Sequence, residues 1–190
     1  HNTSKQTQLL GWFICLLATC FSFYVYFERV STSILQEPLI NRYHLNLQSY
    51  GLLAASYYWA YTPLQAIVGT LMDYFGVKRL MLLALFLCSI GACLFGISSE
   101  LSLAFMGRFL MGFGSAFSFV AVLKLAADWL PYRYFSFFSG FTTALSMLGA
   151  ICGEMLLERM IEHNGLQQTL IYAACIAPIL FILSAILIKD

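Results

Sequence analysis

Charge is what this chain has least of. Only 10% of its 190 residues are Asp, Glu, Lys or Arg, where a soluble domain carries about a quarter. That is too little to wet a globular surface, so a water-soluble domain is excluded. The few charges nearly cancel, with a formal net charge of +1, which excludes the basic face that nucleic acid requires. No run of Lys and Arg is long enough to tether the chain to an anionic lipid surface. Histidine is scarce: His1, His44 and His163 fall in separate polar breaks, so no metal site is expected from them. The six cysteines (Cys15, Cys20, Cys88, Cys93, Cys152 and Cys175) sit inside apolar runs, and no pair has CxxC spacing. They read as small buried hydrophobes rather than as a disulfide or metal framework. No HExxH, no GxSxG and no His/Asp cluster within an apolar run is present. A membrane-embedded enzyme therefore has no support, and no cofactor is expected. The first residue is His1 rather than Met, which points to a trimmed N-terminus. The apolar run from Leu9 is too long for the h-region of a signal peptide and lacks a small-residue cleavage site.

What the chain has in abundance is apolar surface: 61% of residues are hydrophobic and the mean hydropathy is +0.80. Bilayer is the natural solvent for such a chain. A spanning helix needs ~20 mostly apolar residues, and the sequence predicts six, over 9–35, 49–72, 80–97, 101–130, 135–157 and 166–188. Polar breaks separate them, at 41–44, 73–79, 98–100, 131–133 and 162–165. These loops are short, so neighbouring helices are expected to run antiparallel. One side collects Lys5, Lys78, Arg79, Arg133 and Lys189. The other collects Arg42 and Arg159, with Glu100, Glu158 and Glu162. The excess of cations marks the first side, and both termini of this segment, as cytoplasmic. Small residues recur at about four-residue spacing, as Gly149 with Gly153, Gly112 with Ala116, and Ser136 with Gly140 and Ala144. Each set is expected to let helices approach closely in lipid. Pro63 and Pro178 should kink their helices. The third span has no charge and should pack peripherally.

Between the second and third spans lies Gly69-Thr70-Leu71-Met72-Asp73-Tyr74-Phe75-Gly76-Val77-Lys78-Arg79. A carboxylate, a turn glycine and two cations gather there at a membrane edge. Gly69, Leu71, Asp73, Gly76, Lys78 and Arg79 match a GxLxDxxGxKR pattern that resembles the signature of the major facilitator superfamily. Tyr74 stands where that family usually has a cation. Arg108, Gly112 and Gly114 resemble the RxxxGxG pattern of the family's fourth helix. Trp129-Leu130-Pro131, with Arg133 and Gly140, looks like the turn into the fifth. The resemblance implies an all-α membrane protein with six transmembrane helices as two inverted three-helix repeats, the N-terminal half of a twelve-helix transporter. The C-terminal half is absent from this chain. The expected partners are the lipid bilayer, the missing half and a small-molecule substrate moved by alternating access. Region 149–154 lacks the proline of the antiporter motif, which favours uptake over exchange. Tyr26-Phe27-Glu28-Arg29-Val30 resembles a segment of carriers that import organic anions with a cation, and is similar to bacterial uptake carriers for amino acids and related nutrients. The implied function is secondary active, proton-coupled uptake of an organic anion or amino acid across a bacterial inner membrane. A non-transporting receptor or assembly subunit on the same fold is the alternative.

The candidate functional residues follow from buried charge. A charge at a helix centre costs ~2.5–3.5 kcal/mol on insertion scales, so Glu28, Arg29 and Arg108 need a reason to be there. Adjacent residues point ~100° apart on a helix, so Glu28 and Arg29 must face different neighbours. Arg29 or Arg108 could fork onto a substrate carboxylate, with Glu28 as the proton-sensitive partner. A fixed Glu28–Arg108 pair between helices is the alternative. Tyr26, Tyr58 and Tyr61 are candidates to line a cavity. Gly69, Asp73, Gly76, Lys78 and Arg79 form the expected gate, and Asp73 is expected to lack its partner without the second half. Lys124 and Asp128 are four residues apart and share a helix face, either as a snorkelling pair or as part of a gate network with Asp73 and Arg79. Glu154 is expected near the outer interface or as a second proton carrier.

Overall fold

The computed structural model describes residues 2–188, with side chains from Leu9 onward. Lys5 and Lys189, two of the cations behind the expected orientation, lie outside the described side chains, as does His1. The described residues form nine helices joined by tight turns: α1 Asn2–Ile34, α2 Gln36–Tyr43, α3 Leu47–Gln65, α4 Val68–Phe75, α5 Val77–Ile97, α6 Leu101–Ser115, α7 Ser118–Trp129, α8 Tyr132–Asn164 and α9 Leu166–Leu187. Backbone groups in hydrocarbon must bond within their own helix, and the apolar runs obey that rule.

Five stretches are both long and apolar enough to cross a bilayer: Leu9–Ile34, Val77–Ile97, Leu101–Trp129, Tyr132–Asn164 and Leu166–Leu187. Six were expected. The difference lies at 49–72, where Tyr57, Tyr58, Trp59, Tyr61, Thr62 and Gln65 dilute the apolar character, and the run is built as α3 and α4 with a break at Ala66 and Ile67. Pro63 removes a backbone donor one turn upstream, and α3 ends two residues later. The fourth run is also split, into α6 and α7 at Ala116 and Phe117. The two breaks meet: Gln65 Nε2 donates to the Ala116 carbonyl at 3.1 Å, supplying a bond that the interrupted helix cannot. α9 runs through Pro178 without interruption. Beyond the expected spans, α2 is an additional short helix, capped by His44 in the left-handed region. α8 continues through the expected break up to Asn164. Its 33 residues rise to ~50 Å, longer than a ~30 Å hydrocarbon core.

α5 lies between α6 and α9, α3 packs on α6, and α1 packs along α8, with α7 on its other flank. Small residues decide these contacts. A Cβ on Gly149 would stand 2.6 Å from the Phe23 carbonyl oxygen, and one on Gly153 would stand 3.0 Å from the Phe27 ring. The pair expected to allow close approach therefore holds α8 to α1, with a Thr19–Thr142 hydroxyl bond at 3.2 Å beside it. Gly91 and Gly107 bring α5 and α6 into backbone contact in the same way, a pairing not singled out from the sequence. Gly140 has open space, and Ser136 and Ala144 are exposed, so that stripe packs against nothing within the described chain. The uncharged stretch 80–97 of α5, expected at the periphery, is packed between α6 and α9 and presents Leu83, Phe86, Ile90 and Ile97 outward.

The ends of the bundle are distinct. At one, Trp12 on α1 meets Tyr134 on α8 with ring centroids 5.7 Å apart, and α7 ends at Trp129 against Gly11. At the other, Arg42 donates to the Ser98 carbonyl at 2.7 Å and to Gly96 at 3.4 Å. A cation there satisfies the last carbonyls of α5.

Candidate substrate site and gate

The charged centre is assembled by Gly112. A Cβ there would overlap the Tyr57 carbonyl oxygen, so only glycine lets α6 lie this close to α3. One turn earlier on the same face, Arg108 is carried over the Tyr57 ring, with Cζ 4.9 Å from its centroid and 5.6 Å from that of Phe95. Arg108 is fully buried. Its Nη1 donates to the backbone carbonyl of Glu28 at 3.2 Å, whereas Nε and Nη2 have no partner among the described residues. The expected Glu28–Arg108 association exists, but it runs through the main chain. No ion pair joins the Glu28 carboxylate to Arg108 among the described residues. The Tyr24 hydroxyl approaches Glu28 without completing a hydrogen bond.

Arg29 leaves α1 in another direction, as the helix geometry requires. Its guanidinium lies 4.5 Å from the Tyr61 centroid, 4.7 Å from Tyr26 and 5.9 Å from Tyr57. It is half-buried, and its Nε lacks a partner. Guanidinium planes against tyrosine faces gain from the ring quadrupole, and gain more where water is excluded. Of the tyrosines expected at the site, Tyr26 and Tyr61 thus contact Arg29. Tyr58 is 44% exposed and meets the cluster only edge-on, through Tyr57 and Tyr61. The residue missed from the sequence is Tyr57. It is fully buried, has its hydroxyl unpaired, is stacked on Tyr61, and stands between the two arginines. Its spacing of four from Tyr61, which puts both rings on one face of α3, was the available signal.

The gate residues occupy the Trp129 end. Gly76 has φ +86°, a left-handed conformation that a side chain would strain, and it turns the chain from α4 into α5. Lys124 on α7 forms an ion pair and hydrogen bond with Asp73 on α4. Asp73, expected to be unpaired, therefore has its partner within this chain. Lys124 turns to Asp73 rather than to Asp128 because the break before α7 brings it beside α4. Asp128 is exposed and, with Met72, Asp73, Gly76 and Lys124, lines a cleft of 330 Å³. Gly69 and Lys78 are half-buried, and Arg79 is exposed. Glu154 lies on the exposed face of α8. Asp73→Asn should leave the melting temperature nearly unchanged, because a partly exposed pair contributes only ~0.2–1 kcal/mol. Hydrogen exchange across α4 should rise, by up to about fivefold on that scale. Unaltered exchange in α4 would show that the ion pair does not hold it.

The profile of the Major Facilitator Superfamily matches residues 12–190. The chain belongs to that superfamily. It is accordingly an integral membrane protein of a transporter family. Among superfamily relatives, an uncharacterized transporter of Bacillus subtilis is 31% identical over 63% of this chain and 28% of its own length. A probable sulfoacetate transporter of Cupriavidus necator is 21% identical over 88% of this chain and 39% of its own. A probable galactarate/D-glucarate transporter of Escherichia coli K12 is 32% identical over 57% of this chain and 26% of its own. The chain thus spans well under half the length of these curated superfamily relatives.

Proposed function

We propose that the complete carrier is a secondary transporter that imports a small organic anion together with protons, by alternating access between two six-helix halves, of which this chain is the first. The observation that carries the reading is Arg29, a half-buried cation held among three tyrosine rings with a donor unpaired. α1 and α3 are bridged there by side chains more than by backbone contact, and the reading places the solute at that seam. A planar fork suits a carboxylate or sulfonate, and relatives whose printed names include galactarate, D-glucarate and sulfoacetate support that class. The Trp129 end, with Lys78, Arg79 and Arg133, is read as cytoplasmic by the positive-inside rule. The membrane is read as the bacterial inner membrane. Asp73 and Lys124 close the inner gate, and Glu28, beside Arg108, carries the proton that couples uptake to the gradient.

The test is uptake of radiolabelled D-glucarate, galactarate and sulfoacetate by the full-length carrier in proteoliposomes, with and without an inward proton gradient. Accumulation of one of them driven by the gradient is expected. Failure of all three, with no organic acid stabilising the purified protein against heat, would reject the anion reading. Glu28→Gln should retain binding but flatten the pH dependence of uptake. A pH profile identical to that of the parent would remove Glu28 from coupling.

A further inference from the structure

Glu28 and Arg29 are neighbours in sequence but face different parts of the bundle. Arg29 turns toward α3 and its tyrosines. Glu28 lines a narrow crevice on the opposite side of α1, together with Ser31, Phe95 of α5, Leu157 of α8, and Leu170 and Ala173 of α9. The lining residues lie close to the Arg42 ends of their helices: Ser31 is three residues from the end of α1, Phe95 two from the end of α5, and Leu170 four from the start of α9. The cavity volume is 10 Å³, close to the ~10–15 Å³ that admits one water molecule. Its small residues, Ala92 and Ala173, leave that space, and Gly153 lets α8 sit against Phe27 beside it.

We propose that protons reach Glu28 through this crevice between α1, α5, α8 and α9, from the Arg42 end of the bundle, and not through the cavity in which Arg29 meets the anion. The inference rests on the coupling role given to Glu28 above. The electrostatics favour the separation. Arg29, with Arg108 behind it, leaves the α3 side of α1 positive, which suits an anion and repels an arriving hydronium. The charged and titratable groups facing Glu28 are Arg108 from α6, Tyr24 from its own helix and Cys88 from α5. At the crevice, α8 and α9 contribute Leu157, Leu170 and Ala173, none of which is ionisable. No cation lines the crevice itself, so water, with the Ser31 hydroxyl beside it, would carry the proton past Arg42 at the end of α5 to Glu28. Anion and proton would then enter from separate openings and interact only across α1 and Arg108.

The experiment uses the full-length carrier in nanodiscs, and it needs no known substrate. A pH jump is followed by infrared difference spectroscopy, and the carboxyl band of Glu28 is assigned by its loss in Glu28→Gln. Ala173→Phe, which fills the crevice, should slow the appearance of that band at least tenfold. Leu157→Ala, which widens the crevice, should quicken it, and so keeps the test decisive if the first variant does not fold. Gly140→Ala, on a face of α8 with open space beside it, should leave the rate unchanged. A rate indifferent to both crevice variants, or slowed equally by Gly140→Ala, overturns the separate path while leaving coupling intact. No Glu28 band in the parent protein at any pH would sink the coupling role, and the path with it.

Discussion

Arg29→Gln should weaken binding of the transported anion to the full-length carrier by at least about thirtyfold. Truncating one partner of a buried, hydrogen-bonded charge pair costs about 2–5 kcal/mol, and each 1.4 kcal/mol is about tenfold in affinity. Arg29 is the cation placed to make such a pair, because three tyrosine rings hold its plane and one donor is unspent. Arg29→Lys should recover only part of the loss. Lysine keeps the charge but loses the two-pronged geometry and the stacking on Tyr26 and Tyr61. Titration calorimetry against the anion identified by the uptake experiment measures both variants. Equal affinity in Arg29→Gln would move the anion elsewhere and leave Arg29 as a brace between α1 and α3.

Gly112→Ala should destabilise the protein by about 1–3 kcal/mol or more, the range for forcing extra volume into a packed interior. The obstacle is unusually rigid. The added methyl meets the main-chain carbonyl of Tyr57, and a backbone cannot rotate away as a side chain can. α3 and α6 must separate, and Arg108 rides on α6 one turn away, so its contacts with Tyr57 and the Glu28 carbonyl loosen together. The expected result is a lowered melting temperature with impaired anion binding in the surviving fraction. Gly69→Ala is the control, since a Cβ there meets nothing within 4 Å. If both variants melt alike, the close approach at Gly112 is not what positions Arg108.

The apolar runs made the membrane fold legible, because 18 or more nearly uncharged residues have few alternatives to a spanning helix. The resemblance of 69–79 to the superfamily signature was equally legible. Helix interruptions were legible only in part: Pro63 foretold the end of α3, whereas Pro178 leaves α9 unbroken. Nothing in the composition of 101–130 announces a break at Ala116, which depends on Gln65 arriving from another helix. For the same reason the sequence left Lys124 open between a snorkelling pair with Asp128 and a gate network with Asp73 and Arg79: the choice depends on how α7 is offset from α6. At the charged centre, periodicity foretold that Glu28 and Arg29 would diverge. Tyr57 was overlooked because four aromatics crowd 57–61, and only the packing of α6 distinguishes the one enclosed between two guanidinia.

The interruption at Ala116 changes what the fourth spanning segment can do. A straight rod keeps the same neighbours along its length. Here the upper length leans on α3 and α5, and the lower length is handed across to α1 and α8. One segment thereby belongs to two walls of the bundle, with Arg108 in the first and Lys124 in the second. The charge that holds the Glu28 main chain and the charge that pairs with Asp73 are thus carried on one piece of chain with a joint between them. That joint, at Ala116 and Phe117, is also where α3 takes hold of the segment, through the amide of Gln65.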